Sequence, residues 1–181
     1  MPGSCDVSDA CDELGVPAVR TGAMRPVWPG CPALLATLST ITLTSGQDAD
    51  PLPDVLAAIA GMPAAVVLLM DLGGRPDAQC WGGRTAAAAH RAGVAGILVH
   101  GAVRDVDALA GAGFATYASG VYPGRAKGRL RYVGTGLPVT IGGELVHPGS
   151  LVAADASGAV FVPSEYAGTV FTRAIALAEA G

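Results

Sequence analysis

The chain has 181 residues, of which 51% are apolar and 14% charged, and its formal net charge is −4. This length suits one domain, residues 1–181, and no apolar run approaches the roughly 20 residues that a membrane-spanning helix needs. The negative charge argues against general nucleic-acid binding, which requires clustered Lys and Arg facing phosphates.

The start of the chain and its cysteines indicate a compartment. Residues 1–15 carry acids and lack the basic-then-apolar order of a secretory signal. The four cysteines show no CxxC pairing, so we interpret them as free thiols in a reducing cytoplasm and not as a zinc site. They are Cys5, Cys11, Cys31 and Cys80.

Hydrophobic periodicity predicts alternating helices and strands, with helices ending before glycines and buried strands forming short apolar runs. In chain order we predict helix 7–14, an irregular segment 17–32, strand 36–44, helix 50–60, strand 64–70, helix 82–92, strand 95–99, a helical turn 106–110 and strand 114–118. A basic loop, 122–132, is followed by strands 138–141, 150–154 and 159–162 and by a helix 165–180 that Ser164 can cap. The β-rich tail fits a three-layer α/β fold, with a β/β core and helices outside, better than a doubly wound sheet.

The most informative stretch is residues 80–107, CWGGRTAAAAHRAGVAGILVHGAVRDVD. Two glycines open an Ala-rich helix, and the strand after it delivers Arg104 and Asp105 at its carboxyl end, the edge where α/β proteins bind ligands. The amides of residues 82–85 can cradle an anion. An Arg-Asp pair at a strand end is nevertheless more often a local salt bridge, and glycines before a helix usually mark a tight turn, so the pattern alone leaves both interpretations open.

This stretch resembles the RraA-like family, which includes the class II, metal-dependent 4-hydroxy-4-methyl-2-oxoglutarate aldolases and a regulator of ribonuclease E activity. The resemblance extends to VSDACDELG, VVLLMDLGG and LPVTIGGELVHPGSLVAADASGAVFVP, and the combination of GAVRD with PGS-x-x-x-x-D-x-x-G-x-x-x-x-P is specific. It implies a swivelling β/β/α fold, a homotrimer or hexamer with sites at subunit boundaries, Mg²⁺ or Mn²⁺ as cofactor, and retro-aldol cleavage or decarboxylation of a small 2-oxo acid.

The resemblance also assigns catalytic roles, with Asp105 as metal ligand and Arg104 as the group that stabilises the enolate. A cation beside an Arg can hold the negative charge that develops on an enolate oxygen. A single Asp is sufficient, because Mg²⁺ often keeps several waters and takes only one or two carboxylates. The substrate-binding residues would be those of the helix start and the arginine after the strand: Gly82, Gly83, Arg84, Thr85 and Arg104.

The chain departs from the family pattern at the helix start. Active aldolases carry an acidic residue twenty-one positions before the Arg, which here is Gly83 (104 − 21 = 83). The family's Trp-Gly-acid-Leu therefore reads Trp81-Gly82-Gly83-Arg84, and the missing carboxylate is one expected to hold a metal-bound water. We expect weaker cation binding or a more anionic substrate.

Other charged side chains are weaker candidates. His100 can act as an acid or base near neutral pH, although a buried His bonded to a backbone carbonyl is the commoner arrangement. His90 and His147 lack ligand spacing, and Asp155 is expected to fix a turn through its own backbone. In family aldolases, a carboxylate from a neighbouring subunit helps to activate water. The loose candidates for this role are Glu165 and Glu179, although solvated acids on a helix are the simpler interpretation of both.

Four basic residues alternate along the predicted loop: Arg125, Lys127, Arg129 and Arg131. A solvated loop is the default interpretation, and steering of an anionic substrate is the main alternative. For the whole protein we predict a metal-dependent carbon–carbon lyase. Two alternatives stay open: a non-catalytic regulator that binds other proteins, and a lyase-derived biosynthetic enzyme with a changed substrate.

Overall fold

The computed structural model describes residues 1–47 and 49–180. Within these ranges the helices are α1 Ser4–Leu14, α2 Leu52–Ala60, α3 Gly83–Arg91, α4 Val106–Gly111 and α5 Ala167–Ala180. The strands are β1 Val19–Thr21, β2 Arg25–Pro26, β3 Leu34–Ser45, β4 Val67–Asp71, β5 Gly96–Val103, β6 Thr116–Val121, β7 Leu130–Thr135, β8 Val139–Ile141, β9 Glu144–Val146, β10 Leu151–Asp155 and β11 Gly158–Val162. None of the helices in these ranges combines the length and apolar character needed to cross a membrane.

One long strand, β3, takes part in two sheet regions. Its first half pairs antiparallel with β10, and the sheet continues through β11 to β1. Its second half pairs with β4 in parallel, and β5 and β6 extend this parallel region, with β2 at the far edge. Helices α2, α3 and α4 make the three crossovers that parallel pairing requires.

Three apolar clusters define the layers. The first lies between the parallel region and helices α2 to α4 and includes Trp81 and Ile97. The second lies between the two sheet regions and includes Leu69 and Phe161. The predicted β/β core with helices outside is thus confirmed, and a third cluster, which packs α1 and α5 against β10 and β11, adds a helical layer on the far side.

Strand β5 sets the position of the most informative stretch. It runs four residues beyond the predicted end, to Val103, and passes through Gly101 at φ 152°. A Cβ at residue 101 would lie 2.7 Å from the Cβ of Leu72, so only glycine allows this close approach. Because the strand continues to Val103, Arg104 is the first residue after the sheet.

Several other boundaries differ from the prediction. Helix α1 begins at Ser4 because the carboxylates of Asp6 and Asp155 accept hydrogen bonds from the N–H groups of Gly3 and Ser4, each at 2.7 Å. The segment predicted to be irregular contains β1 and β2. Neither β7 nor β9 was predicted, and β7 begins at Leu130, inside the predicted basic loop. Ser164 does not cap a helix: it begins a 3₁₀ turn, and α5 starts three residues later.

Candidate active site

The chain turns from β5 into α4 through Arg104 and Asp105, a pair that we call the Arg-Asp corner. Asp105 has left-handed backbone angles, φ 56° and ψ 40°. This conformation costs roughly 1–2 kcal/mol for most L-residues, and Asp tolerates it better than most. The N–H of Arg104 donates to the carbonyl of Trp81 at 3.0 Å, so the corner lies against the start of α3, as the sequence predicted.

The carboxylate of Asp105 is held by one of its two oxygens. Its Oδ2 accepts a hydrogen bond from the N–H of Gly83 at 3.1 Å and lies 3.5 Å from the Nε of Arg104. The side chains of Arg104 and Asp105 are 37% and 46% exposed, so their ion pair contributes only about 0–1 kcal/mol. Its Oδ1 has no hydrogen-bond partner among residues 1–47 and 49–180, which leaves this oxygen available to a ligand.

Close packing explains the first glycine of the helix start. A Cβ at residue 82 would lie 2.6 Å from Asp105 Oδ2, although the extended backbone of Gly82, at φ −170°, would accept any residue. At residue 83 a Cβ would meet only the Cβ of Ala108 at 3.5 Å and Asp105 Oδ2 at 3.9 Å, which are ordinary contacts. A side chain therefore fits at position 83, beside the Asp105 carboxylate, but not at position 82.

The predicted anion cradle is partly used by the protein itself. The N–H of Gly82 donates to Thr85 Oγ1 at 2.9 Å, and the N–H of Gly83 donates to Asp105. Gly82, Arg84 and Thr85 line a cavity next to the Arg-Asp corner. Gly83 is not part of this lining, and its N–H orients Asp105. Substrate binding by these four residues stays a prediction.

The cavity has a volume of about 280 Å³. Its charged lining residues are Asp50, Arg84, Arg104, Asp105, Arg125 and Lys127. Among the residues that the structure describes, four cations and two carboxylates give this lining a formal charge of +2 (4 − 2). The corner is thus a local ion pair that also forms part of the wall of a cavity, and ligand binding there stays a prediction.

Two of the four basic residues of the predicted loop line the cavity, and the loop that carries them is anchored at both ends. Buried Gln79 donates from Nε2 to the carbonyl of Gly124 at 2.7 Å. Arg75 binds both carboxylate oxygens of Asp77, at 2.8 and 2.9 Å, and donates to the carbonyl of Arg129 at 3.3 Å. The hydrogen bond from Arg75 lowers the pKa of Asp77.

The comparisons with known proteins agree with this architecture. The model of a family described as RraA-like, Aldolase/RraA, matches residues 4–161. The chain belongs to the RraA-like family. The resemblance identified from its motifs is therefore confirmed.

The similar proteins carry different names. A Pseudomonas syringae pv. tomato protein named "Putative 4-hydroxy-4-methyl-2-oxoglutarate aldolase" is 38% identical over 101 residues, or 54% of this chain and 60% of that protein. Protein DlpA of Legionella pneumophila is 25% identical over 96% of this chain, and the match spans only 28% of DlpA. The structure of RraAS2 from Streptomyces coelicolor, described as an unusual member of the RNase ES inhibitor RraA protein family, has a TM-score of 0.83 at 27% identity, covering 96% of this chain and 87% of that one.

Cys80 lines the cavity of this RraA-like chain, and its burial disfavours the reactive thiolate form. Burial raises the pKa of its thiol to about 12, and Asp50 adds to this effect while Arg104 opposes it. The thiol is therefore protonated at neutral pH, whereas attack and metal binding require the thiolate. All four cysteines are free thiols, as the sequence predicted.

His100 lies outside the cavity lining and has an unexpected partner. Its Nδ1 is 2.9 Å from Oδ1 of Asp71, which also accepts the N–H of Gly73 at 2.8 Å. The expected bond to a backbone carbonyl is wrong for this side chain, because the end of β4 places a carboxylate next to it. The turn predicted at Asp155 is confirmed by a 2.8 Å bond from the N–H of Ser157 to Asp155 Oδ1.

The donor set of the cavity fits a loosely held, mostly hydrated cation. No three His, Cys, Asp or Glu side chains converge within the described ranges, so they form no cage made of protein ligands alone. Asp105 offers one unpaired oxygen, and Mg²⁺ binds through one or two carboxylates while keeping waters. Glu165 and Glu179 do not line the cavity in this chain, and their contribution from a neighbouring copy stays a prediction.

Proposed function

We propose that this protein is a carbon–carbon lyase that cleaves or decarboxylates a small 2-oxo acid, with Mg²⁺ or Mn²⁺ as cofactor. One observation supports the proposal above the others: β5 is followed directly by Arg104 and Asp105, at the wall of a cavity whose described lining has a formal charge of +2. Membership of a family described as Aldolase/RraA and the aldolase name of the Pseudomonas relative support the reaction class.

In this reaction Arg104 binds the 2-oxo carboxylate or the oxygen that becomes the enolate. Its Nε lies near Asp105, so the terminal N–H groups of the guanidinium remain for the substrate in a planar fork that Lys cannot reproduce. A preorganised donor stabilises the negative charge that develops when the carbon–carbon bond breaks.

Asp105 is the residue that would hold the cation, through the oxygen that has no protein partner. When bound, the cation would act as a Lewis acid on the enolate oxygen. Gly83 contributes through its backbone, because its N–H fixes the other oxygen of Asp105. Arg84 and Thr85 at the start of α3 form the adjacent wall and contact the rest of the substrate.

The experiment measures pyruvate released from 4-hydroxy-4-methyl-2-oxoglutarate and from oxaloacetate in the presence of Mg²⁺ or Mn²⁺. We expect Asp105→Ala to lower kcat about 100-fold or more, because the charge on the enolate loses its support. Arg131→Gln, which changes a charge on β7 outside the cavity lining, should leave the rate unchanged. Equal rates for the Asp105→Ala and unmodified proteins would reject the mechanism.

A second candidate function is that of a non-catalytic regulator, favoured by Gly83, which leaves the cavity without a second carboxylate beside Asp105. The similarity to RraAS2 of the RNase ES inhibitor RraA family supports this candidate. A binding assay against an RNase E-type ribonuclease tests it. Inhibition of the ribonuclease by both the Asp105→Ala and unmodified proteins, with no pyruvate release, would favour the regulator over the lyase.

A further inference from the structure

The cavity holds more positive charge than the Arg-Asp corner requires. Apart from Arg104, which serves the corner, three cations line it: Arg84 from the start of α3, and Arg125 and Lys127 from the loop between β6 and β7. None of the three forms an ion pair with a carboxylate of residues 1–47 or 49–180. In the described part of the chain, Asp50 is the one lining carboxylate besides Asp105, so the excess beyond the Arg-Asp corner is +2 (3 − 1).

The positions of Arg125 and Lys127 are set by the fold. Between them Ala126 is buried in the cluster beneath α2 and α3, so both neighbours flank an anchored residue. The carbonyl of Gly124 is held by Gln79, and the carbonyl of Arg125 accepts a hydrogen bond from Arg129 at 3.0 Å. Like charges that line one cavity repel each other, and a bound anion reduces that repulsion.

The excess charge and the donor types match a phosphate better than another carboxylate. A phosphate monoester carries about −1.5 to −2 at pH 7 and presents three acceptor oxygens, whereas a carboxylate carries one charge and two oxygens. Two Arg forks and one Lys suit three separate oxygens, because Arg binds phosphate bidentately and Lys binds it as a point charge. A cavity of about 280 Å³ accepts a small metabolite.

We propose that Arg84, Arg125 and Lys127 form a second anion subsite, and that the substrate carries a phosphate ester in addition to its 2-oxo carboxylate. This inference rests on the proposed function for the carboxylate end of the substrate. It adds the class of substrate: a phosphorylated short-chain 2-oxo acid, bound by the Arg-Asp corner at one end and by the subsite at the other.

The test compares two ligands that differ only in the ester, hydroxypyruvate and its 3-phosphate, by isothermal titration calorimetry. We expect the phosphate ester to bind more tightly, on the order of ten-fold or more, since the ester adds charge-assisted hydrogen bonds to Arg and Lys. Arg125→Gln and Lys127→Gln should each reduce this advantage, and Arg84→Leu should do the same. Arg131→Gln is the matched control, with the same change of charge on the next strand, and should preserve the advantage.

Two results would overturn the subsite: equal affinity of the unmodified protein for both ligands, or an equal loss of the advantage in Arg131→Gln, which would indicate general charge attraction. The lyase proposal fails separately. If the ester binds through Arg125 but no carbon–carbon bond is cleaved in any 2-oxo acid, the subsite is supported and the lyase proposal is rejected. If oxaloacetate is cleaved and the ester has no advantage in affinity, the lyase proposal is supported and the subsite is rejected.

Discussion

Position 82 is the residue of the candidate site that tolerates least change, because its Cα lies against the Asp105 carboxylate. A methyl group placed there would lie 2.6 Å from Asp105 Oδ2. We expect Gly82→Ala to displace Asp105 and to lower the free energy of unfolding by about 1–3 kcal/mol through overpacking. Urea unfolding measures the change.

Gly83→Ala is the matched control for that substitution, since the neighbouring position has room. There Ala gains up to about 1 kcal/mol in helix propensity over Gly. The expected order of stability is Gly83→Ala at or above the unmodified protein, with Gly82→Ala below both. Equal stabilities of the two variants would show that contact with Asp105 does not constrain residue 82.

Gly83 is also the position at which a substitution can place a second carboxylate beside Asp105. A side chain at this position begins 3.9 Å from Asp105 Oδ2, so Gly83→Glu places two acids side by side. We expect Mn²⁺ affinity to rise about 10–100-fold, the range associated with groups that support a metal's own ligands. Gly83→Gln, equal in size and uncharged, should show little gain, and calorimetric titration with Mn²⁺ compares them. The same affinity in the Glu and Gln variants would contradict this expectation.

Some site residues were predictable from the sequence and others were not. Arg104 and Asp105 could be located because an apolar run followed by charges marks the carboxyl end of a buried strand. Gln79 and Arg75 carried no such signal, because they act on carbonyls 45 and 54 residues away and a distant hydrogen bond leaves no local pattern. The partner of His100 could not be predicted, because the neighbour depends on the register of β4 with β5.

Among the elements, helix α1 depends on one carboxylate at the other end of the chain. Asp155 accepts hydrogen bonds from Ser4 and Ser157, and although burial opposes ionisation, these bonds together lower its pKa below the usual 3.8. A carboxylate with a lowered folded-state pKa adds stability above its unfolded pKa, and this contribution disappears as the pH falls through the folded pKa.

We therefore expect Asp155→Asn to be destabilised at pH 7 and to approach the unmodified protein in acid, below the lowered pKa. The loss at pH 7 should be about 1–3 kcal/mol, as for a weakened hydrogen bond to a charged group. Denaturant unfolding between pH 7 and pH 2 provides the measurement. Ser4→Ala removes one donor, the Ser4 hydroxyl, and keeps the backbone N–H, so it should follow the same trend with a smaller loss. A difference independent of pH would contradict this expectation.

Helices and strands with strong periodicity were predictable, whereas the short strands β1 and β2 were not. The strands predicted at 64–70 and 95–99 correspond to β4 and β5, since a covered strand needs a continuous apolar run. Strands β1 and β2 have three and two residues and exist through pairing with β11 and β6. Too short to show a pattern of their own, they are consequences of the tertiary fold.

At the scale of the whole molecule, the trimer or hexamer implied by the family resemblance would place a subunit boundary near the candidate site. Val121 pairs in register with Val103, next to the Arg-Asp corner, and is 60% exposed. We expect Val121→Lys to weaken assembly, because an exposed apolar side chain beside the site would be covered by the neighbouring copy. Phe171→Lys, an exposed position on α5, is the control, and sedimentation velocity measures the mass. A monomeric unmodified protein, or equal assembly of both variants, would contradict the placement.

The family motifs indicated the general architecture, but not the helical layer at its back. Helices α1 and α5 come from opposite ends of the chain, and Glu13 and Arg173 form an ion pair across them. Each helix has an apolar face, but the residues of the helix do not indicate which surface that face covers. That information lies in the pairing of β10 with β11, whose outer side presents Val160 and Val162 to both helices.

Strand β3 has a further consequence, for the way the protein melts. One half of its twelve residues pairs with β10, and the other half pairs with β4 in the parallel region that leads to the Arg-Asp corner. If either sheet region unfolds, the other loses part of β3, the strand that both share. Heat should therefore unfold both regions in a single cooperative transition, with one midpoint for spectroscopic probes placed in either half.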